Sequence, residues 1–116
     1  MNFFIILCHI KMFTIVLLIV LLISSAQSAE FIKHKTRWCG HCKKLSGVWS
    51  ELEHKYRNDN RVIISEIDCD DDKSTCEKHG VKGYPTLIFY KNDGSHVNYH
   101  GSRSLEDLSD FVEKNL

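Results

Sequence analysis

The pattern of apolar and polar residues divides the chain into an apolar leader and a mixed remainder. Residues 12–23 are almost all apolar, Lys11 precedes them, and small residues follow as far as Ala29. This order is typical of a secretory signal, and the run is shorter than the roughly 18 apolar residues expected of a spanning helix. We therefore expect residues 1–29 to be a signal peptide and residues 30–116 to form one small domain. An uncleaved signal anchor is the alternative, and membrane attachment is expected only in that case.

The first half of the remainder predicts a strand, a helix, a second strand and a short helix. Residues 30–35 indicate a strand with only two clearly apolar positions, so we expect it to be poorly buried. Apolar residues recur every three or four positions over residues 42–56, as on one face of a helix. Residues 61–67 form a β-branched strand pattern. The acidic residues 70–72 predict a solvated loop before a short helix that ends near Gly80.

The second half predicts a hairpin and a closing helix. A strongly apolar strand within residues 81–90 is followed by Asn92-Asp93-Gly94, which favours a hairpin turn, and by a return strand around residues 97–99. Apolar residues between 105 and 112 predict the last helix. The strand-helix-strand unit makes the first two strands parallel, and the hairpin makes the last two antiparallel. The predicted fold is therefore of the α/β class, with a mixed sheet flanked by helices on both faces.

The segment Trp38-Cys39-Gly40-His41-Cys42 carries the candidate chemistry. Two thiols three positions apart at the start of a helix can approach within disulfide distance, and a C-x-x-C pair beside strand and helix patterns indicates a redox motif. A thiolate on Cys39 would be stabilised by the helix N-terminus and by protonated His41, so we expect its pKa to be lowered. Cys42 heads the apolar helix face and is expected to be less accessible than Cys39.

Charge and the remaining cysteines narrow the function classes. The chain has 15 basic and 15 acidic residues, interspersed, which predicts neither nucleic acid nor a membrane surface as a partner. Cys8 lies in the leader, and the other four cysteines form an even set that suits an oxidising compartment. A second, structural disulfide between Cys69 and Cys76 is feasible. A zinc site of four cysteines is the alternative, although the second pair lacks the usual ligand spacing.

No metal or cofactor is predicted. The histidines outside the redox segment are scattered, and we expect them at the surface: His34, His54, His79, His96 and His100.

The quoted redox segment, together with Gly83-Tyr84-Pro85-Thr86 and the late segment around Arg103, resembles the thioredoxin superfamily and especially the catalytic domains of protein disulfide isomerases. The cysteine arrangement looks most like the endoplasmic-reticulum members with three thioredoxin domains. The resemblance implies a thiol–disulfide oxidoreductase of the endoplasmic reticulum lumen or of secretions, acting on protein thiols and disulfides. It also implies that Cys39 is the exposed nucleophile and Cys42 the resolving thiol.

The resemblance gives Pro85 and Arg103 supporting roles. Pro85 matches a cis-proline that faces the active site, with an ordinary trans proline at a strand start as the alternative. Arg103 matches an arginine that can move toward the active site and lower the pKa of the resolving cysteine, with a solvated arginine as the alternative. Trp38, Gly40 and His41 complete the supporting set.

Two departures from the family pattern modify these expectations. We expect only the minimal core of a thioredoxin domain, without its first strand and helix, and with residues 62–67 as an uncovered edge strand. Lys33 stands where many isomerase domains have a buried glutamate. We therefore expect lower stability than in a full domain, and the alternative function is a catalytically weak module that binds unfolded peptides or a partner protein.

Overall fold

The structure, a computed structural model, describes residues 2–22 and 27–116. Its elements in chain order are α1 (Phe3–Leu22), β1 (Ala29–Lys35), α2 (Gly40–Tyr56), β2 (Val62–Asp68), α3 (Lys73–Lys78), β3 (Thr86–Tyr90), β4 (His96–Tyr99) and α4 (Leu105–Asn115). From β1 onward this is the predicted order of strands and helices. The predicted fold class is confirmed.

The four strands form one mixed sheet in the order β2-β1-β3-β4. β1 pairs parallel with β2, in a register that places Lys33 beside Glu66. It pairs antiparallel with β3, placing His34 opposite Thr86, and β3 and β4 are antiparallel. Gly94 adopts a positive φ of 90° in the hairpin turn, a conformation that glycine enters without steric cost. β2 lies at one edge of the sheet, as predicted.

Helices α2 and α4 pack on one face of the sheet and bury its aromatic residues. The predicted stripe of α2 is buried, and its Trp49 ring lies 5.0 Å from the ring of Phe31. Phe31 also contacts Phe89 of β3 and Phe111 of α4. Burial of such large apolar side chains against one another is the main stabilising contribution in a small domain. On the opposite face, His79 at the C-terminal end of the short helix α3 contacts His34 and Tyr90, so helices flank both sides.

The expectation that the polar strand β1 would be poorly buried is wrong. Lys33 is 2% exposed and His34 is 0% exposed. The reason is that each has a specific partner: Lys33 Nζ donates to Glu66 Oε2 at 2.8 Å, and both ring nitrogens of His34 are hydrogen-bonded. Buried polar groups are tolerated when they are paired in this way. The prediction that the histidines lie at the surface is also wrong for His34 and for its half-buried partner His79. His54, His96 and His100 are exposed, as predicted.

Helix α1 precedes the domain. It is 20 residues long, none of its residues is buried, and its length and composition are sufficient to cross a membrane. Cys8, His9 and Lys11 lie within this helix, which therefore begins upstream of the apolar run that starts at residue 12. A signal sequence and a membrane anchor both have these properties. The small residues at positions 24–26 lie outside the described residues, and β1 begins at Ala29, one residue before the predicted domain boundary.

Candidate active site

Cys39 and Cys42 lie where β1 passes into α2. Cys39 is the N-cap residue of α2, with extended backbone angles, and Cys42 is in the first turn. The two form a disulfide with a Cα–Cα distance of 5.2 Å. The Cys39 sulfur also accepts a hydrogen bond of 3.1 Å from the Cys42 N–H. The positive end of the helix dipole therefore acts directly on the Cys39 sulfur.

The two sulfurs are almost equally buried in this disulfide state. Cys39 is 6% exposed and Cys42 is 3% exposed, so the expectation of an exposed Cys39 is wrong for this state. The cause is local, since the Cys39 sulfur turns inward to bond Cys42 and to accept its N–H. Gly40 and His41, the first two residues of α2, are exposed.

The segment around Pro85 contacts the redox segment through two aromatic rings. The exposed Trp38 ring packs edge-on against the Tyr84 ring, with a centroid distance of 5.6 Å. The Tyr84-Pro85 peptide bond is cis, and Thr86 Oγ1 donates to the Gly83 carbonyl at 2.6 Å. The fold therefore brings together two motifs that are far apart in the sequence, with Trp38 as the direct neighbour of Cys39.

Arg103 lies in a groove beside Pro85. The groove has a volume of about 350 Å³, and its lining includes Pro85, Thr86, Tyr99, His100 and Arg103. The Arg103 side chain is exposed. Arg103 and Pro85 line this groove, whereas Cys42 lines a different cavity.

A cavity of about 380 Å³ lies behind Cys42, between β1, β2 and α2, and its lining includes Lys33, Thr36, Trp49 and Glu66. Lys33 Nζ lies 5.7 Å from the centre of the Trp49 ring. Desolvation raises the pKa of Glu66, but the hydrogen bonds and charges of Lys33 and Lys35 outweigh it and hold this pKa below its usual value. An ion pair therefore borders the same cavity as the buried cysteine.

The local sequence patterns do not reveal the role of Glu66. The signal that could have found it is the strand register, because parallel pairing of β1 and β2 places residues 33 and 66 side by side. Local patterns also do not reveal Thr36, whose hydroxyl oxygen is buried without a hydrogen-bond partner among the described residues.

The acidic segment after β2 makes specific contacts and is not a freely solvated loop. Asp70 accepts a 2.9 Å hydrogen bond from the Arg37 backbone N–H, and the Arg37 guanidinium binds Asp68 at 3.2 Å and also Asp71. Asp72 caps α3 by accepting from the Thr75 N–H. These contacts tie the residue before Trp38 to the loop that leads into α3.

Cys69 and Cys76 form a second disulfide, with a Cα–Cα distance of 5.8 Å, and both residues are buried. It links the end of β2 to α3. The four cysteines of the domain are thus divided between two separate disulfides. Across residues 2–22 and 27–116, no group of three or more His, Cys, Asp or Glu side chains is arranged to hold a metal ion.

The chain is similar in sequence to one known protein family. The sequence profile of the thioredoxin family matches residues 22–114. The chain belongs to the thioredoxin family. Its relatives include the protein disulfide-isomerase-like protein EhSep2 of Emiliania huxleyi, 38% identical over 97 residues. The thioredoxin domain-containing protein 5 homolog of Drosophila melanogaster is 39% identical over 94 residues.

The chain matches only part of each relative. The aligned regions cover 82% of this chain and 44% of EhSep2, and 78% of this chain and 23% of the Drosophila protein. Among solved structures, the J-Trx1 fragment of ERdj5 superposes with a TM-score of 0.69 at 30% identity, covering 75% of this chain and 41% of that one. The first thioredoxin domain of mouse protein disulfide-isomerase A4 gives 0.66 at 28% identity, covering 76% and 63%. The predicted resemblance is confirmed at the level of sequence and fold.

Proposed function

We propose that this thioredoxin-family domain is a thiol–disulfide oxidoreductase of the protein disulfide isomerase type, which forms or reshuffles disulfides in secretory-pathway proteins. The observation that carries the proposal is the Cys39–Cys42 pair on the first turn of α2, with Cys39 as the N-cap. The names of the relatives, which include protein disulfide isomerases and isomerase-like proteins, support it.

In the proposed reaction, the structure represents the oxidised enzyme. A substrate thiolate attacks the Cys39 sulfur, the Cys39–Cys42 bond breaks, and Cys42 leaves as a thiolate that takes up a proton. A second substrate thiolate then attacks the substrate sulfur of this mixed disulfide. A substrate disulfide forms, and Cys39 leaves with its electron pair. The substrate is oxidised by two electrons and the cysteine pair is reduced; the reverse sequence reduces a substrate disulfide.

Isomerisation begins from the reduced pair. The Cys39 thiolate attacks a substrate disulfide, that bond breaks, a mixed disulfide with Cys39 forms, and the other substrate sulfur leaves as a thiolate. A thiolate elsewhere in the substrate attacks the substrate sulfur, a new substrate disulfide forms, and Cys39 is released without a net change of oxidation state. The surroundings of Cys39 favour its departure as a thiolate, because the helix N-terminus and the Cys42 N–H stabilise negative charge on that sulfur. Stabilising the reduced form makes a disulfide more oxidising, which suits oxidation and isomerisation.

The groove beside Pro85 is the proposed site for the substrate chain. It adjoins Tyr84, whose ring touches Trp38 next to Cys39. Extended backbone beside Pro85 can hydrogen-bond a peptide strand, and Arg103 supplies a cation at the rim. The proposed supporting residues are therefore Trp38, Gly40, His41, Pro85 and Arg103.

We propose that the segment before β1 is a cleaved signal peptide, with a signal anchor as the alternative. The apolar helix α1 supports either form of entry into the secretory pathway. The two disulfides also suit an oxidising compartment. The proposed location is the endoplasmic reticulum lumen or the outside of the cell.

One observation favours a second candidate function, a module that binds peptides or a partner without turnover. The edge strand β2 has its outer side unpaired within the described residues, and Ile63 on it is exposed. An exposed strand edge can pair with another extended chain. In this alternative the domain would bind unfolded protein equally well with or without its redox pair.

Insulin reduction and reactivation of scrambled ribonuclease separate the two functions. We expect the full-length protein to be active in both assays and Cys39→Ala to be inactive. A Cys69→Ala/Cys76→Ala double variant is the matched control, because it also removes one disulfide but leaves the redox pair in place. Equal rates for the wild type and Cys39→Ala would eliminate the enzymatic proposal.

A further inference from the structure

A buried histidine pair connects α3 to the strand that follows Pro85. His34 is fully buried in β1, and its Nδ1 lies 3.0 Å from the Thr86 carbonyl oxygen. Its Nε2 lies 2.8 Å from Nδ1 of His79. His79 is the C-cap residue of α3. The proposed redox reaction uses neither ring, so their burial needs a separate explanation.

The hydrogen bonds determine which nitrogens carry protons. A carbonyl oxygen only accepts, so Nδ1 of His34 donates to Thr86, and in the neutral ring Nε2 must then accept from His79 Nδ1. One added proton is compatible with these two hydrogen bonds, because His79 can be protonated on its outer nitrogen and still donate to His34. With two added protons, N–H groups of two cations face each other at 2.8 Å. The contact between the rings is then lost.

The pair is linked to the proposed substrate groove through consecutive contacts. Thr86, whose carbonyl accepts from His34, directly follows Pro85 and lines the groove. Tyr84 precedes Pro85 and packs against Trp38, the neighbour of Cys39. A change in the position of the His34 ring therefore acts on backbone only one residue from Pro85.

The opposite end of the pair is held firmly. His79 packs against Tyr90, with a centroid distance of 5.0 Å, and its backbone N–H donates to the Thr75 carbonyl at 2.9 Å. The Cys69–Cys76 disulfide ties α3 to the end of β2. Movement that follows double protonation is therefore expected at His34 and Thr86 and less at His79.

We propose that His34 and His79 are positioning residues that hold the Pro85-Thr86 segment in its substrate-binding conformation until the pair binds a second proton. This inference rests on the proposed function, because it assigns acid-sensitive substrate binding to the same groove. Below the pH of second protonation, the segment is released and affinity for an unfolded chain falls.

The charges around the pair set the pH range. Burial lowers the pKa of His34, and nearby His79 lowers it further against the raising effect of the Thr86 hydrogen bond. Burial also lowers the pKa of His79. The charged or titratable groups facing His79 are Glu30 on β1, Tyr90 on β3, His96 on β4, and Asp72 and Lys78 at the two ends of α3. The transition is therefore expected on the acid side of the ordinary histidine range of about pH 6.5.

The first test is an NMR pH titration of the oxidised full chain in mild detergent, from about pH 7.5 to about pH 5. We expect the Thr86 and Leu87 amide signals to shift with the same midpoint as the His34 ring nitrogens. His79→Gln should remove this response. The glutamine amide cannot be protonated, and its oxygen can accept a hydrogen bond from a protonated His34, so two cations never face each other. His54→Gln, at an exposed histidine of α2, is the matched control and should behave like the wild type.

The second test measures affinity for fluorescein-labelled, carboxymethylated insulin B chain over the same pH range. The loss of about one hydrogen bond predicts roughly threefold to tenfold weaker binding at the acid end for the wild type and His54→Gln. His79→Gln should bind with nearly constant affinity. His34→Phe/His79→Phe, which replaces both polar partners, should also show no acid response if it folds.

The outcomes separate this inference from the proposed function. A pH-independent Thr86 amide in the wild type, or an identical acid response in His79→Gln, would overturn the positioning role even if the redox assays succeed. Failure to bind the B chain at any pH would overturn the link to substrate binding. Failure of insulin reduction and ribonuclease reactivation, with the NMR and binding responses intact, would instead overturn the redox function alone.

Discussion

Substituting the two members of the Lys33–Glu66 ion pair should affect stability unequally, because their side chains differ greatly in exposure. The Lys33 side chain is 2% exposed and that of Glu66 is 39% exposed, at a separation of 2.8 Å. Glu66→Gln would leave a buried lysine without its counter-charge, whereas Lys33→Met would remove the buried charge altogether. Glu66 would then keep Lys35, whose Nζ lies 3.4 Å from Glu66 Oε1.

The magnitude follows from this geometry. At 2.8 Å and an effective dielectric constant of about 20, the gross attraction is about 6 kcal/mol, most of which is offset by desolvation. Removing one member of a fully buried pair costs about 3 to 5 kcal/mol. Because water reaches Glu66, we discount this to about 2 kcal/mol for Glu66→Gln. Lys33→Met should change stability by less than about 1 kcal/mol, since the thioether chain can pack on Trp49.

Equilibrium urea unfolding followed by tryptophan fluorescence measures the difference, because Trp49 lies beside Lys33. With a slope of about 1 kcal/mol per molar urea, the midpoint should fall by about 2 M for Glu66→Gln. Glu53→Gln, on the same cavity wall, is the control and should stay near the wild type. Equal losses for Lys33→Met and Glu66→Gln would refute the reasoning.

The pH dependence checks the same pair. The pKa of Glu66 is lowered in the folded state, so the folded protein binds fewer protons at this carboxyl than the unfolded chain. Its contribution to stability is therefore present above the unfolded value of about 4.3 and is lost as the pH falls through the folded value. Lys33→Met should show a smaller acid loss than the wild type.

Three further predictions follow from single features. Thr36→Val should raise stability by about 1 kcal/mol, because it removes a buried hydroxyl without a partner; a lower melting temperature would contradict this. Removing only the second disulfide, in Cys69→Ala/Cys76→Ala, should lower the free energy of unfolding by about 2 to 3 kcal/mol for a loop of this size, as measured by urea unfolding. If the leader is cleaved, mass spectrometry should find Ala29 retained, which moves the boundary one residue earlier than the sequence suggested, since Ala29 is buried and its N–H donates to the Arg61 carbonyl at 3.1 Å; a chain beginning after Ala29 would refute this.

Local sequence patterns were sufficient for the order of the elements and for the pairing sense of the strands. Apolar residues recur every three or four positions in α2, which predicts one buried face. The Asn-Asp-Gly turn joins its flanking strands as an antiparallel hairpin. The spacing of Cys39 and Cys42 likewise follows from the geometry of a single helical turn. These features depend on residues close together in the chain, so they can be predicted from local sequence patterns.

Local patterns could not predict which side chains the fold brings together as partners. Lys33 and His34 look like surface residues in a polar strand, and they are buried only because Glu66, Thr86 and His79 arrive from three other elements. The inward turn of Cys39 is likewise a property of the closed disulfide and its surroundings. The helices, the strands and the spacing of the redox cysteines follow from local sequence patterns, because they depend on neighbouring residues. Which polar groups can be buried follows only from the folded arrangement, because burial requires partners that are distant in the chain.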